Sequence, residues 1–337
     1  MYAPVALQWV VLSFRYRSLT LPFIANPKLT ISGMVGVTKS ELMSQAGPKC
    51  DAAILDWDVH TITDAPLPEQ INAWLERLQG KGIHFPLVCK PDIGCRGSGV
   101  KLIHDVEQLY SVMAQYPLGA NLLGQKLASW EPEVGIFYVK KPGNEKGEVV
   151  SLTIKYSPYV IGDGKSTLGE LVDKDNRAKQ LLEIYQHRHI DNWQQVIAKD
   201  EPYRLVFSAS HCRGAVFEDA CHHITPELTR AIDELMSDLP EFYYGRLDAK
   251  YSNLQDLKSG ENIEVVEINA ASAESIHIWD KNTTLFTAIK TLLWQYRTLF
   301  QIGHENRKKG YKTPGIKKIL QHWLKERSLT KYYPDTD

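Results

Sequence analysis

The spacing of apolar and polar positions predicts a mixture of helices and strands. Helices are expected where apolar residues recur about every 3.6 positions, and strands where short apolar or alternating runs end at turn residues. The predicted helices are 68–78, 106–113, one beginning at Pro226 with Thr225 as N-cap, 285–296 and 315–327. The predicted strands are 52–55, 85–90, 122–126, 134–140, 148–156, 243–250 and 263–269. Hairpin-like pairs mixed with helices, without regular βαβ alternation, predict an α+β fold.

The first fifty residues show no clear pattern. An apolar stretch, residues 3–14, leads into Arg15-Tyr16-Arg17. It is shorter than the roughly 18 residues of a membrane span. It also lacks the preceding basic stretch and the following small-residue cleavage site of a signal peptide. Two interpretations stay open for this stretch and for the apolar stripe of 316–324: helices packed on the core, or helices that dock on an anionic membrane surface.

Composition is that of an ordinary globular protein. The 337 residues are 43% hydrophobic and 23% charged, which excludes a mainly disordered or collagen-like chain. The net charge is −1, yet residues 297–331 hold ten Lys or Arg against two Glu. Five cysteines without a CxxC pair predict reduced thiols in a cytoplasmic protein. The neighbouring Cys and His residues at 211–212 and 221–223 match no zinc spacing.

The first chemical motif follows the predicted strand 85–90. Lys90 ends that strand, and Gly94, Gly97 and Gly99 follow it. Glycines allow backbone N–H groups to turn inward around a phosphate, and a lysine adds a point charge. The alternative is a plain glycine-rich turn with a structural lysine.

The second motif is a pair of charged strands. Side chains alternate along a strand, so Arg246 and Asp248 share one face of theirs, and Glu267 and Asn269 share one face of the other. If the strands pair, two carboxylates and an amide oxygen meet, which suits Mg²⁺. The alternative is a solvated face of alternating charge.

A third stretch, Gly164-Lys165-Ser166, is similar to part of a P-loop. That motif needs a glycine five positions before Gly164, where Tyr159 stands instead. A tight turn followed by a helix that begins near Ser166 is therefore predicted here.

Taken in order, with the segment 125–133 between them, these motifs resemble the ATP-grasp superfamily. The resemblance covers about residues 85–285. Residues 162–167 are most similar to cyanophycin synthetase and the fused glutathione synthetases, whereas 245–248 and 267–269 resemble D-alanine–D-alanine ligase. The implied fold is an ATP-grasp fold, in which two α+β subdomains grip ATP.

The resemblance implies a set of ATP contacts. Lys90 would contact the phosphates, Lys155 would add a second cation near them, and Glu133 would bind the ribose. Gln125 and the backbone of Leu127 would meet adenine at a hinge between the subdomains. The implied nucleotide-binding residues are Lys90, Gly97, Ser98, Gly99, Gln125, Lys126, Leu127, Glu133 and Lys155.

The resemblance also implies a metal site and a reaction. Asp248, Glu267 and Asn269 would hold two Mg²⁺ ions, or Mn²⁺ in their place, and Arg246 with Lys90 would act on the transferring phosphoryl group. The expected activity is ATP-dependent ligation of a carboxylate to an amine through an acyl phosphate. The alternatives are a kinase of this fold without ligation, and a nucleotide-binding regulatory module without turnover.

One departure bears on the substrate. After Asn269 the D-alanine–D-alanine ligases carry Ser-Pro-Gly, whereas residues 270–274 here are Ala-Ala-Ser-Ala-Glu. D-Alanyl-D-alanine is therefore not the expected product.

The expected organisation has three parts: an N-terminal region 1–84, an ATP-grasp domain 85–290 with its hinge near 125–133, and a basic helical extension 291–337. The expected partners are a small-molecule carboxylate and an amine, with no nucleic acid. The expected location is cytoplasmic, with contact at the inner face of the membrane if the terminal helices dock there.

Overall fold

A computed structural model describes residues 1–94, 99–208, 210–334 and 336. Its strands are β1 (Trp57–Thr61), β2 (Leu87–Pro91), β3 (Lys101–Ile103), β4 (Asn121–Lys126), β5 (Glu133–Val139), β6 (Glu148–Tyr156), β7 (Tyr159–Ile161), β8 (Pro202–Arg204), β9 (Val216–Asp219), β10 (Tyr244–Tyr251) and β11 (Ile263–Asn269). Its α-helices are α1 (Ala3–Tyr16), α2 (Lys39–Met43), α3 (Pro48–Ala53), α4 (Leu67–Gly80), α5 (Val106–Met113), α6 (Leu168–Lys174), α7 (Leu182–Arg188), α8 (Pro226–Ser237), α9 (Leu254–Ser259), α10 (Leu285–Lys308) and α11 (Ile316–Thr330). The predicted α+β class is confirmed.

The first sheet has the order β1-β4-β2-β3, with antiparallel neighbours throughout. Helices α4 and α5 cover one face, where Ile71, Trp74 and Leu78 are almost fully buried. These three residues lie on one side of α4 because their spacing follows the helical period. Strand β1 precedes residue 85, so this sheet extends across the boundary predicted at 84.

The second sheet has the order β11-β10-β5-β6-β9 and is also antiparallel. The largest apolar core lies against it and includes residues from α8, such as Leu228, Ile232 and Met236. Residues 127–132 connect β4 of the first sheet to β5 of the second. The segment predicted as a hinge therefore joins the two sheets.

A smaller unit lies between β6 and β9. It contains the two-stranded antiparallel sheet β7–β8, α6 and α7 around a separate apolar core that includes Tyr185 and Trp193. Thr167 caps α6, with its side chain accepting from the amide of Glu170. The carboxylate of Asp163 accepts from the amides of Lys165 and Ser166. The stretch 163–166 is thus a turn before a capped helix, as predicted.

Two local predictions are wrong. Residues 52–55 were expected to form a strand, but helix α3 occupies Pro48–Ala53, and Ile54 makes only an isolated bridge to Val265. Pro48 starts that helix with its φ already fixed, and four apolar residues are too few to distinguish helix from strand. The pattern also predicts that a turn containing Ser259-Gly260 joins the strands 243–250 and 263–269. The connection instead contains helix α9, which Asn253 caps and Gly260 ends in the left-handed conformation.

Three long helices, α1, α10 and α11, lie in the terminal parts of the chain. Helix α1, where no pattern was evident, packs on α10 through Val5 and Leu12. Helix α10 extends to Lys308, twelve residues beyond its predicted end at 296. Helix α11 forms as predicted, and none of its residues is buried. No helix of the described residues is long and apolar enough to cross a membrane.

Candidate active site

A cavity of about 1200 Å³ lies between the two sheets and the smaller unit. Ten of the predicted site residues line it, although they come from six strands and the connection between the sheets. They are Lys90, Gln125, Lys126, Leu127, Glu133, Lys155, Arg246, Asp248, Glu267 and Asn269. The fold therefore brings together motifs that lie up to 179 residues apart in the sequence.

Lys90 is a buried cation on β2, only 3% exposed. Its Nζ donates to Oε1 of Gln125 at 2.7 Å and to the carbonyl of Val266 at 3.1 Å. Burial lowers the pKa of Lys90 to about 8, although the nearby Glu267 carboxylate opposes the shift. Both of its hydrogen-bond partners are neutral oxygens, so the ammonium group is in a position suited to attract an anion.

Asp248 is the charged centre on β10. Arg246 donates to both of its oxygens, from Nε at 2.8 Å and Nη2 at 2.9 Å. Nζ of Lys155 lies 2.9 Å from Oδ1, and Nδ2 of Asn269 donates to Oδ2 at 2.9 Å. Burial works against ionisation, but Arg246 and Lys155 hold the pKa of Asp248 well below its usual range. The carboxylate is therefore charged at neutral pH.

Strand register explains how the acidic groups meet. Asp248 pairs with Glu267, and Arg246 pairs with Asn269, across β10 and β11. Directly paired residues of antiparallel strands point to the same face. A β-bulge follows Asp248 and shifts the register beyond it. The expected pairing of the two strands is confirmed and places these four residues on one face, while their roles toward a metal stay predictions.

A further carboxylate, Glu133 on β5, lies beside Asp248 and shares Lys155 with it. Lys155 approaches it at 2.8 Å and Lys250 at 3.2 Å. Burial opposes the charge, but the attraction of Lys155 and Lys250 lowers the pKa of Glu133. Lys155 consequently bridges Glu133 and Asp248. Its expected contact with a phosphate and the expected contact of Glu133 with a ribose stay predictions.

The donor set on β10 and β11 fits a hard divalent cation. Two carboxylates and an amide oxygen supply the oxygen ligands that Mg²⁺ takes, together with phosphate oxygens and water. Glu267 is the less engaged carboxylate, with Lys39 at 3.6 Å as its ion pair in the described part of the chain. No group of three His, Cys, Asp or Glu side chains within the described ranges lies close enough together to hold a metal on its own.

The glycine-rich loop is described only at its ends. Gly97 and Ser98, both predicted phosphate contacts, lie outside the described residues, as does Cys95. Gly99 has a φ of +71°, and its carbonyl accepts from the hydroxyl of Tyr116 at 2.9 Å. A Cβ at this position would lie 2.7 Å from that hydroxyl oxygen. Glycine is therefore required here for both conformation and space.

Lys39, at the start of α2, is a cavity residue that the sequence analysis missed. Its Nζ donates to the carbonyl of Gly94 at 3.0 Å and lies 3.6 Å from Oε1 of Glu267. The adjoining backbone is anchored because buried Asp92 accepts from the amide and hydroxyl of Ser40. The sequence predicted neither α2 nor its approach to the loop.

Two further segments reach the cavity unexpectedly. Glu326 of α11 lines it and accepts from the amide of Gly36 at 2.7 Å. Arg188 and His211 line it from the smaller unit, and Trp279 lies against the ring of His211, with centroids 5.3 Å apart. The C-terminal helix and the smaller unit therefore contribute to the walls around the predicted nucleotide-binding residues.

No family model matches this chain. Over 213 residues it is 26% identical to the cyanophycin synthetase of Synechocystis sp., and the match covers 58% of this chain and 24% of that protein. D-Alanine–D-alanine ligase from Bacillus anthracis is similar at a TM-score of 0.45 and 14% identity, covering 84% of this chain and 72% of that one. A bifunctional glutathione synthetase from Pasteurella multocida is similar at a TM-score of 0.35 and 16% identity. The match covers 73% of this chain and 34% of that one.

The comparisons thus find similarity to the three kinds of ligase that the motifs resemble. This chain spans only 24% of the length of the curated relative. The TM-scores are below 0.5. What the protein does is therefore argued below from its own cavity.

Proposed function

We propose that the cavity is the active site of an ATP-dependent ligase that joins a carboxylate to an amine. One observation supports this proposal. Lys90, a buried cation on the first sheet, lines the same cavity as Asp248 and Glu267 on the second sheet. A cation of this kind binds phosphate oxygens, and paired carboxylates hold the Mg²⁺ that accompanies a nucleoside triphosphate.

The size of the cavity supports two substrates. Its volume is about 1200 Å³. Pockets that hold a single drug-sized ligand measure roughly 300–1,000 Å³. ATP between the sheets would leave room for a second molecule toward Arg246 and the smaller unit. The connection 127–132 between the sheets would hold the adenine.

The reaction we propose has two steps. A carboxylate oxygen of the substrate attacks the γ-phosphorus of ATP, the bond to the β-phosphate oxygen breaks, and ADP leaves with that electron pair. The nitrogen of the amine then attacks the acyl carbon, phosphate leaves, and the nitrogen loses a proton to solvent or phosphate. Arg246 and Lys90 would stabilise charge on the phosphoryl oxygens, and bound Mg²⁺ would supply further charge neutralisation.

A trapping experiment tests this proposal. Carboxylates are screened for ATP-dependent hydroxamate formation in the presence of hydroxylamine, which attacks an acyl phosphate as an amine would. Hydroxamate and ADP in equal amounts support the ligase. A stable phosphorylated product formed without any amine would instead indicate the kinase alternative. ATP binding without ADP formation for any carboxylate would indicate the regulatory module.

The low pKa of Lys90 predicts a pH dependence of ATP binding. The free protein loses the Lys90 proton near pH 8, and a bound triphosphate favours the protonated form. Affinity for a non-hydrolysable ATP analogue should therefore fall as pH rises above about 8, by up to about tenfold per pH unit.

Titration calorimetry of the parent and of Lys90→Met from pH about 7 to about 9 checks the predicted slope. Methionine preserves the length of the side chain but has no proton to lose. The variant should bind more weakly and show no such slope. Equal slopes in the two proteins would remove Lys90 from the phosphate site.

A further inference from the structure

Helix α1 is apolar on two faces, but only one is covered. Val5 and Leu12 are buried against α10, and Trp9 packs edge-on to Phe300 with ring centroids 5.1 Å apart. The opposite side, the α1 outer face, consists of Leu7, Val10, Val11 and Phe14, which are 68%, 49%, 57% and 79% exposed. A helix that is apolar all round normally lies in an apolar environment.

The α1 outer face has a basic border at its C-terminal end. Arg15 and Arg17 are exposed at the C-terminal end of the helix. Residues 1–40 contain four Lys or Arg and no Asp or Glu. Tyr16 lies against His304, with ring centroids 5.0 Å apart, so this end of α1 adjoins the basic C-terminal part of α10. The border is therefore complementary to a negatively charged surface.

We propose that the α1 outer face docks on an anionic lipid bilayer. A second copy that docks through the same face is a poorer occupant, because residues 1–40 of that copy would offer no carboxylate to Arg15 and Arg17. A bilayer instead offers hydrocarbon to Leu7, Val10, Val11 and Phe14, and phosphate groups to the arginines.

The dimensions of α1 fit an interfacial position. Fourteen residues at about 1.5 Å each give a helix about 21 Å long, which is shorter than the roughly 30 Å hydrocarbon core of a bilayer. The helix would therefore lie in the plane of the interface, with α10 behind it. Tyr2, immediately before α1, lines the cavity, so docking would hold this part of the cavity wall close to the lipid.

Co-sedimentation with vesicles tests the proposal. The full chain is mixed with vesicles of phosphatidylcholine alone, or of phosphatidylcholine with phosphatidylglycerol, at low and at high salt. We expect sedimentation with the phosphatidylglycerol vesicles, weakened by salt. Leu7→Gln combined with Phe14→Gln should lower vesicle affinity by about tenfold or more. Arg15→Gln combined with Arg17→Gln should lower it by about fivefold per residue.

A matched control distinguishes binding through the α1 outer face from nonspecific binding by any exposed apolar side chain. Leu118 is 69% exposed in the connection before β4, and Leu118→Gln should sediment like the parent. Circular dichroism confirms that each variant keeps its fold. A parent that stays in the supernatant with every vesicle overturns the proposal. It is also overturned if the parent is a dimer in light scattering that Leu7→Gln with Phe14→Gln dissociates, without any sedimentation.

Discussion

Replacing Glu267 with glutamine should abolish ADP formation while the protein remains folded. Glu267 is the carboxylate at the centre of the site with the fewer structural contacts, since it has one ion pair, at 3.6 Å, among the described residues. Its charge is therefore available to a cation that accompanies ATP. Losing such a ligand commonly costs several kcal/mol of transition-state stabilisation, or about 100-fold or more in rate.

The experiment compares Glu267→Gln with Glu148→Gln. Glu148 lies at the exposed start of β6 in the same sheet and outside the cavity. Both variants should have the thermal midpoint of the parent, and only Glu267→Gln should lose ADP formation and the dependence of ATP binding on Mg²⁺. ADP formation by Glu267→Gln at the parent rate would refute the assignment of this carboxylate.

Replacing Asp248 with asparagine should cost both activity and stability. Asp248 neutralises Arg246 and Lys155, whose side chains are only 16% and 5% exposed. Without its charge the two cations remain buried and less well compensated. Breaking a buried ion pair in this way costs about 3–5 kcal/mol of folding free energy. ADP formation should disappear as well, because the same carboxylate is a predicted metal ligand.

Urea unfolding at neutral pH measures this loss, with Asp58→Asn as the comparison. Asp58 also binds two cations, Arg77 and Lys81, but these are 45% and 50% exposed and lie away from the cavity. Solvent screens such pairs, so Asp58→Asn should cost about 1 kcal/mol or less and leave ADP formation unchanged. If Asp248→Asn is no less stable than Asp58→Asn, then Asp248 does not stabilise the fold by neutralising Arg246 and Lys155.

The sequence could not show that Asp248 and Glu267 would differ in their expected effect on stability. Strand alternation places Arg246 with Asp248, and Glu267 with Asn269, on the right faces, because the period of two is a local property of the backbone. The contact of Lys155 of β6 with Asp248 could not be predicted from the sequence, since it depends on how three strands align. Two acidic residues of the same predicted role therefore differ in their expected effect on stability.

The sequence by itself determined most of the helices and strands, the α+β class and ten residues that line one cavity. The elements follow from local periodicity, and five of the residues follow from side-chain chemistry at strand ends and turns. The other five, Gln125, Lys126, Leu127, Glu133 and Lys155, were implied by the resemblance to a known family. Only the tertiary structure decided which elements meet. Lys39 reaches Gly94, 55 residues away, because α2 is anchored on Asp92. In α1 both faces are apolar, so its pattern could not show which face packs on α10. Local spacing reports that a face is apolar, whereas the partner that covers it is set by contacts between distant parts of the chain.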